Sequence, residues 1–103
     1  MEQLKKFEMQ IGLFDKDTYK QEFSTQHAIQ VISEIVGDCT IKADGLGFYT
    51  HDNGHKVDGE PSLTVIKFDT DKAKIVNMAK RLKKILNQES IILDEQPVTS
   101  EFI

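Results

Sequence analysis

The chain has 103 residues, 39% hydrophobic, 8% aromatic and 29% charged, with a net charge of −4. That is the size of one domain, so residues 1–103 are expected to form a single unit with one core, needing neither metal nor disulfide to hold it. Cys39 has no second cysteine to pair with, which fits a reducing compartment.

The start, Met1 to Phe7, lacks the apolar segment of a secretory signal, and no run approaches the roughly 18 apolar residues of a membrane helix. A cytoplasmic protein with no membrane partner is expected. Arg81 is the single arginine among 13 basic residues. Arginine dominates bidentate base-edge recognition, so a sequence-specific nucleic-acid partner is not expected.

Residues 4–14 alternate, with Phe7, Met9, Ile11 and Leu13 on one side, and predict a strand. Residues 18–23 read as an extended connection. A helix is expected over about 25–36, capped by Ser24 or Thr25 and ended by Gly37. Cys39, Ile41 and Ala43 then alternate until Gly45-Leu46-Gly47 interrupts, which suggests a bulge.

Asn53-Gly54 predicts a tight hairpin turn, and Lys56-Val57 resumes the strand. Gly59 and Pro61 break it, and residues 62–69 form a further strand. Thr70 is expected to cap a second helix with Asp71 in its first turn, and Ile75, Ala79, Leu82 and Leu86 form its apolar stripe. Ser90 to Leu93 make a last short strand before a tail through Pro97. The order strand–helix–strand–strand–helix–strand fits the α+β, ferredoxin-like split βαβ plan: one antiparallel sheet with two helices on one face. That plan serves many functions and fixes none.

The polar hairpin, residues 49–60, is where chemistry could sit. With Asn53-Gly54 as a two-residue loop, His51 faces Lys56, and His51 and His55 diverge, which argues against a His–His metal site. The same register puts Leu46, Phe48, Thr50 and Val57 on the core face. Tyr49, His51, Lys56, Asp58 and Glu60 then lie on the other, where a small polar ligand or a protein surface could bind. An antiparallel sheet also keeps one face polar and wet without any function.

Cys39 lies in phase with Ile41, as a small core residue would, and His27 reads as a surface residue. The Lys80–Lys84 cluster could attract phosphate but also simply complements a helix dipole. No metal motif, nucleophile motif, phosphate loop or cofactor fingerprint is present; Gly45-Leu46-Gly47 lacks the third glycine of a dinucleotide site. No metal and no cofactor are expected.

Gly47-Phe48-Tyr49, then Asn53-Gly54, Glu60-Pro61-Ser62 and Gln88-Glu89-Ser90-Ile91 together resemble the motif order of an uncharacterised family of small bacterial and phage proteins. The similarity covers about residues 39–93. Tyr49 stands where that pattern has tryptophan, and Gly59 adds a residue before Glu60. The resemblance implies a ferredoxin-like fold, an oligomer, and no assigned activity. Glu60 and Ser62 are the shared residues that backbone geometry and packing do not obviously demand.

Three functions remain open. The first is a non-enzymatic, oligomeric binding module using Tyr49, His51, Lys56, Asp58, Glu60 and Ser62; if phage-encoded, it would act in the host cytoplasm on a host protein or sequester a small ligand. The second is a cofactor-free enzyme with His51 as base and Glu60 or Asp58 as its partner. The third is a structural assembly protein. Thr64, Ile66 and Phe68 make the outer face of one strand partly apolar, which a self-association surface would explain.

Overall fold

The computed structural model describes residues 4–99. The expectations for Met1–Gln3 and for the end of the tail, Ser100–Ile103, lie outside them. Six elements follow in the expected order: β1 Lys5–Gly12, α1 Thr25–Val36, β2 Thr40–Thr50, β3 Lys56–Asp69, α2 Lys72–Ile85 and β4 Ile92–Pro97. The sheet order is β2-β3-β1-β4, with every neighbouring pair antiparallel. This is the ferredoxin-like fold.

The alternation in β1 works as the pattern requires. Phe7, Met9 and Ile11 are fully buried, and Leu63 and Val65 of β3 join them on the same face. Ala28, Ile32 and Val36 of α1 and Ile75 and Leu82 of α2 close that core from the helix side. Ser24 caps α1 by accepting a hydrogen bond from the His27 N–H (3.1 Å). Asp71, not Thr70, caps α2. The Asp69 carboxylate accepts from the Thr70 and Asp71 N–H groups and turns the chain, so Asp71 is the residue that reaches Lys74 N–H.

Cys39 packs half-buried against the core, where burial pushes its thiol pKa up. That environment suits a small core residue rather than a nucleophile. Lys67 lies on the core face of β3, and its ammonium donates to the Asp38 carbonyl (2.9 Å), which satisfies its burial.

Several local expectations are corrected. Residues 18–20, expected within an extended connection over 18–23, belong instead to a compact turn that starts at Asp15: Asp15 N–H donates to the Lys20 carbonyl and Tyr19 N–H to that of Asp15 (both 2.8 Å). β3 runs unbroken through Gly59 and Pro61, because a bulge at Gly59 absorbs the extra residue and Pro61 still offers its carbonyl to Leu13 N–H (3.0 Å). β4 begins at Ile92 and continues to Pro97, opposite Lys5.

The largest correction concerns the β2–β3 hairpin. The loop has three residues, Asp52-Asn53-Gly54, because His51 N–H bonds to the His55 carbonyl (2.8 Å) and Gly54 takes φ 86°, the left-handed position of such loops. The register is therefore one residue away from that of a two-residue turn: Thr50 faces Lys56, Tyr49 faces Val57 and Phe48 faces Asp58. A one-residue slip exchanges the faces of a strand. Val57 is buried as expected, but Leu46 and Phe48 are about two-thirds exposed and Thr50 is exposed; none of these three belongs to the core.

Candidate functional site

β2 and β3 are longer than the strands beside them, so their hairpin projects past the end of the sheet. It forms one wall of a cleft of about 390 Å³, a size suited to a small ligand. The floor is the end of β1 with the first turn after it, Gln10 to Phe14. The far wall is the segment between α2 and β4, Gln88 to Ser90, with Ile92 beyond.

Glu60 sits at the centre with 2% of its surface exposed. A carboxylate that deep needs hydrogen bonds to each oxygen. Oε2 accepts from the Phe14 backbone N–H (2.7 Å), and Oε1 accepts from the Tyr49 phenol. Burial pushes the Tyr49 pKa up, and both the hydrogen bond to Glu60 and the carboxylate's charge push it the same way. The phenol therefore stays protonated and donates.

Gly12 makes room for this carboxylate. A Cβ there would stand 2.6 Å from Oε2 and closer still to Oε1. A side chain of any size would evict Glu60. Gln88 holds the far wall to the floor: its amide, almost fully buried, donates to the Phe14 carbonyl (2.9 Å) and the Leu86 carbonyl (3.1 Å).

The hairpin tip is fastened at two points. His51 Nδ1 bonds to the Glu89 carboxylate of the far wall. Tyr19, from the turn after β1, stacks on His55 with ring centroids 3.8 Å apart, and its hydroxyl accepts from the Asn53 amide (2.7 Å). Tyr19 holds φ 58°, a conformation that costs energy for a residue with a side chain and that the surrounding contacts sustain.

Four of the sequence-predicted site residues, Tyr49, His51, Glu60 and Ser62, line the cleft. Lys56 and Asp58 do not; both are exposed on the hairpin away from it, because the register differs by one. The expected pairing of His51 with Glu60 or Asp58 is not made: His51 pairs with Glu89, and Glu60 with Tyr49. His51 and His55 do not diverge. They sit opposite each other across the loop, with ring centroids 6.0 Å apart. Among the described residues no group of three or more His, Cys, Asp or Glu side chains could hold a metal ion.

Sequence reasoning missed Gly12, Phe14, Lys16 and Glu89 as site residues. A glycine inside the alternating strand β1 was the available signal for Gly12, since such a position often marks a close approach. Glu89 belonged to the Gln88-Glu89-Ser90 segment of the resemblance.

No family model matches the chain, and no curated protein matches it. Two solved structures share its fold. One is a phage SAM lyase in complex with S-methyl-5′-thioadenosine, at 21% identity and TM-score 0.73, covering 94% of this chain and 83% of that one. The other is a phage SAM lyase in the apo state, at 20% identity and TM-score 0.67, covering 96% of this chain and 91% of that one. At such identities the likeness establishes the fold. Both neighbours are phage proteins, in keeping with the bacterial and phage setting of the resemblance, while the family itself is unmatched.

Two outcomes follow from the buried carboxylate. Gly12→Ala should displace Glu60 from the Phe14 N–H and cost about 1–3 kcal/mol in denaturant unfolding, the range for a buried group left unpaired; a midpoint unchanged within error would contradict this packing. The raised Tyr49 pKa means the folded chain holds that proton more tightly than the unfolded chain does. Its stabilising contribution is complete below the ordinary tyrosine value of about 10 and falls away as pH rises above it. An ultraviolet titration should show one tyrosine ionising late, and Tyr49→Phe should remove that step.

Proposed function

We propose that the cleft binds S-adenosylmethionine and cleaves it, releasing S-methyl-5′-thioadenosine. The observation that carries this is Glu60: a buried carboxylate, fixed by Tyr49 and the Phe14 N–H, in a nucleoside-sized cleft of a chain whose fold neighbours include a SAM lyase bound to that product. Among the three functional readings of the sequence, this favours the enzyme, with Glu60 and Tyr49 in place of a His51–Glu60 pair.

The chemistry suits the lining. S-adenosylmethionine carries a sulfonium cation. Glu60 offers it a fixed negative charge, and the rings of Phe48 and Tyr49 offer the π-faces on which cations and purines rest. Leaving S-methyl-5′-thioadenosine requires breaking the bond from sulfur to the four-carbon amino-acid fragment. Sulfur keeps the electron pair and becomes a neutral thioether. The carbon it leaves forms its new bond within the fragment, so no second substrate is consumed, and the positive charge departs with that fragment or its proton.

Charge spreads away from sulfur as this bond stretches. Once the open side of the cleft is covered, apolar walls such as Leu46, Phe48 and Ile92 solvate the concentrated sulfonium poorly, which favours the dispersed transition state over the ground state. Glu60 then serves to bind and orient the cation, with Tyr49 holding the carboxylate in place.

We also propose that the chain self-associates through the outer face of its sheet. Thr64, Ile66 and Phe68 lie on the face away from the helices, and Leu46, Phe48 and Ile92 at the cleft rim are each more than half exposed. Covering this apolar surface with a second copy would also shield the open side of the cleft.

The purified protein incubated with S-adenosylmethionine should release S-methyl-5′-thioadenosine, followed by chromatography, and Glu60→Gln should lower kcat/KM at least about 10-fold, the scale of a lost charge-assisted contact. A wild-type chain that neither binds nor cleaves S-adenosylmethionine overturns the assignment. Ile66→Asp should reduce the native mass to that of one chain; an unchanged mass would refute self-association through this face.

A further inference from the structure

The turn after β1 carries the sequence Asp15-Lys16-Asp17, in which two acids flank one base. On an exposed loop the acids would ordinarily neutralise the lysine. Here both carboxylates are hydrogen-bonded to Asn87 and neither forms an ion pair with Lys16, although the Lys16 charge is still felt at Asp15. The Asn87 amide donates to Asp15 (2.9 Å) and to Asp17 (2.9 Å). Asp15 also accepts from the N–H groups of Asp17 (2.8 Å) and Thr18 (3.2 Å), and these bonds, led by that from Asn87 and joined by a smaller effect of the Lys16 charge, hold its pKa below the usual carboxylate value.

Lys16 is itself pinned by its backbone, whose N–H donates to the Asn87 carbonyl (2.9 Å), while its side chain lines the cleft. Asn87 holds φ 47°, an uncommon conformation that places its carbonyl and its amide on the same turn. One residue thus fixes the Lys16 backbone and hydrogen-bonds both flanking acids.

Among the described residues, Lys16 is the one lysine or arginine lining the cleft, and its ammonium has no ion pair there. The two acids of the cleft are engaged elsewhere, Glu60 with Tyr49 and Phe14 and Glu89 with His51. An ammonium without an ion pair opposes a sulfonium ligand unless that ligand also brings an anion to meet it.

We propose that Lys16 is a specificity-determining residue that receives the α-carboxylate of an amino-acid-bearing sulfonium substrate, while Glu60 serves the cationic part. This rests on the reading of the cleft as a site for S-adenosylmethionine. It extends that reading by giving the two charged ends of the substrate separate partners. It also accounts for release of the nucleoside product: S-methyl-5′-thioadenosine has neither the carboxylate nor the positive charge, so neither Lys16 nor Glu60 retains it.

The test compares wild type, Lys16→Met and Lys16→Arg in three measurements: KM for S-adenosylmethionine, inhibition by S-methyl-5′-thioadenosine, and inhibition by decarboxylated S-adenosylmethionine. Lys16→Met should raise KM for S-adenosylmethionine by about 10-fold to 100-fold, the range for a lost charge-assisted hydrogen bond. It should leave inhibition by S-methyl-5′-thioadenosine unchanged and should not weaken that by the decarboxylated sulfonium. Lys16→Arg should restore most of the loss. An unchanged KM, or equal weakening of all three ligands, overturns the role of Lys16 while wild-type turnover leaves the function standing. A wild-type protein that handles none of the three ligands overturns both.

Discussion

A carboxylate buried at the end of a sheet organises this molecule. Glu60 cannot be placed there without a donor for each oxygen and an empty volume beside it. The donors are the Phe14 N–H and the Tyr49 phenol, and the volume is the missing side chain of Gly12. Three separate segments are thereby tied to one charge: the end of β1 with the turn after it, the end of β2 and the bulged stretch of β3. The bulge at Gly59 belongs to the same arrangement, since it sets the phase in which Glu60 meets Gly47 while Tyr49 meets Val57.

The remaining walls depend on that centre. Gln88 bridges the far wall to the Phe14 carbonyl, one peptide group from the N–H that serves Glu60. His51 with Glu89, and Tyr19 with His55 and Asn53, fasten the hairpin tip to the two loops that flank the cleft. Asn87 holds the turn after β1 to the end of α2. The site is therefore built almost wholly from loops and one projecting hairpin at a single end of the sheet, on a scaffold whose core is ordinary aliphatic packing.

This separation explains why the fold was more legible than the site. Helix α1 and strand β1 carry strong single-period patterns, and the sequence places both to within a residue or two. The hairpin carries two interruptions and a loop whose length is ambiguous between two and three residues. Asn53-Gly54 is compatible with either, and the choice exchanges the faces of one arm relative to the other. That single ambiguity sent Leu46 and Phe48 toward the core and assigned Lys56 and Asp58 to the site. Tyr49, His51, Glu60 and Ser62, expected on a polar hairpin face, line the cleft instead.

What the sequence by itself determined is the order of elements, the helix-facing residues of β1, α1 and α2, and a hairpin rich in polar side chains. These follow from local periodicity and capping, which act over a few residues. Only the tertiary structure decided which polar groups meet. Glu60 and Phe14 are 46 residues apart, His51 and Glu89 are 38 apart, and Asn87 and Asp15 are 72 apart. No local pattern encodes such contacts. They arise because β1 lies between β3 and β4, so that the hairpin, the turn after β1 and the end of α2 converge at one end of the sheet.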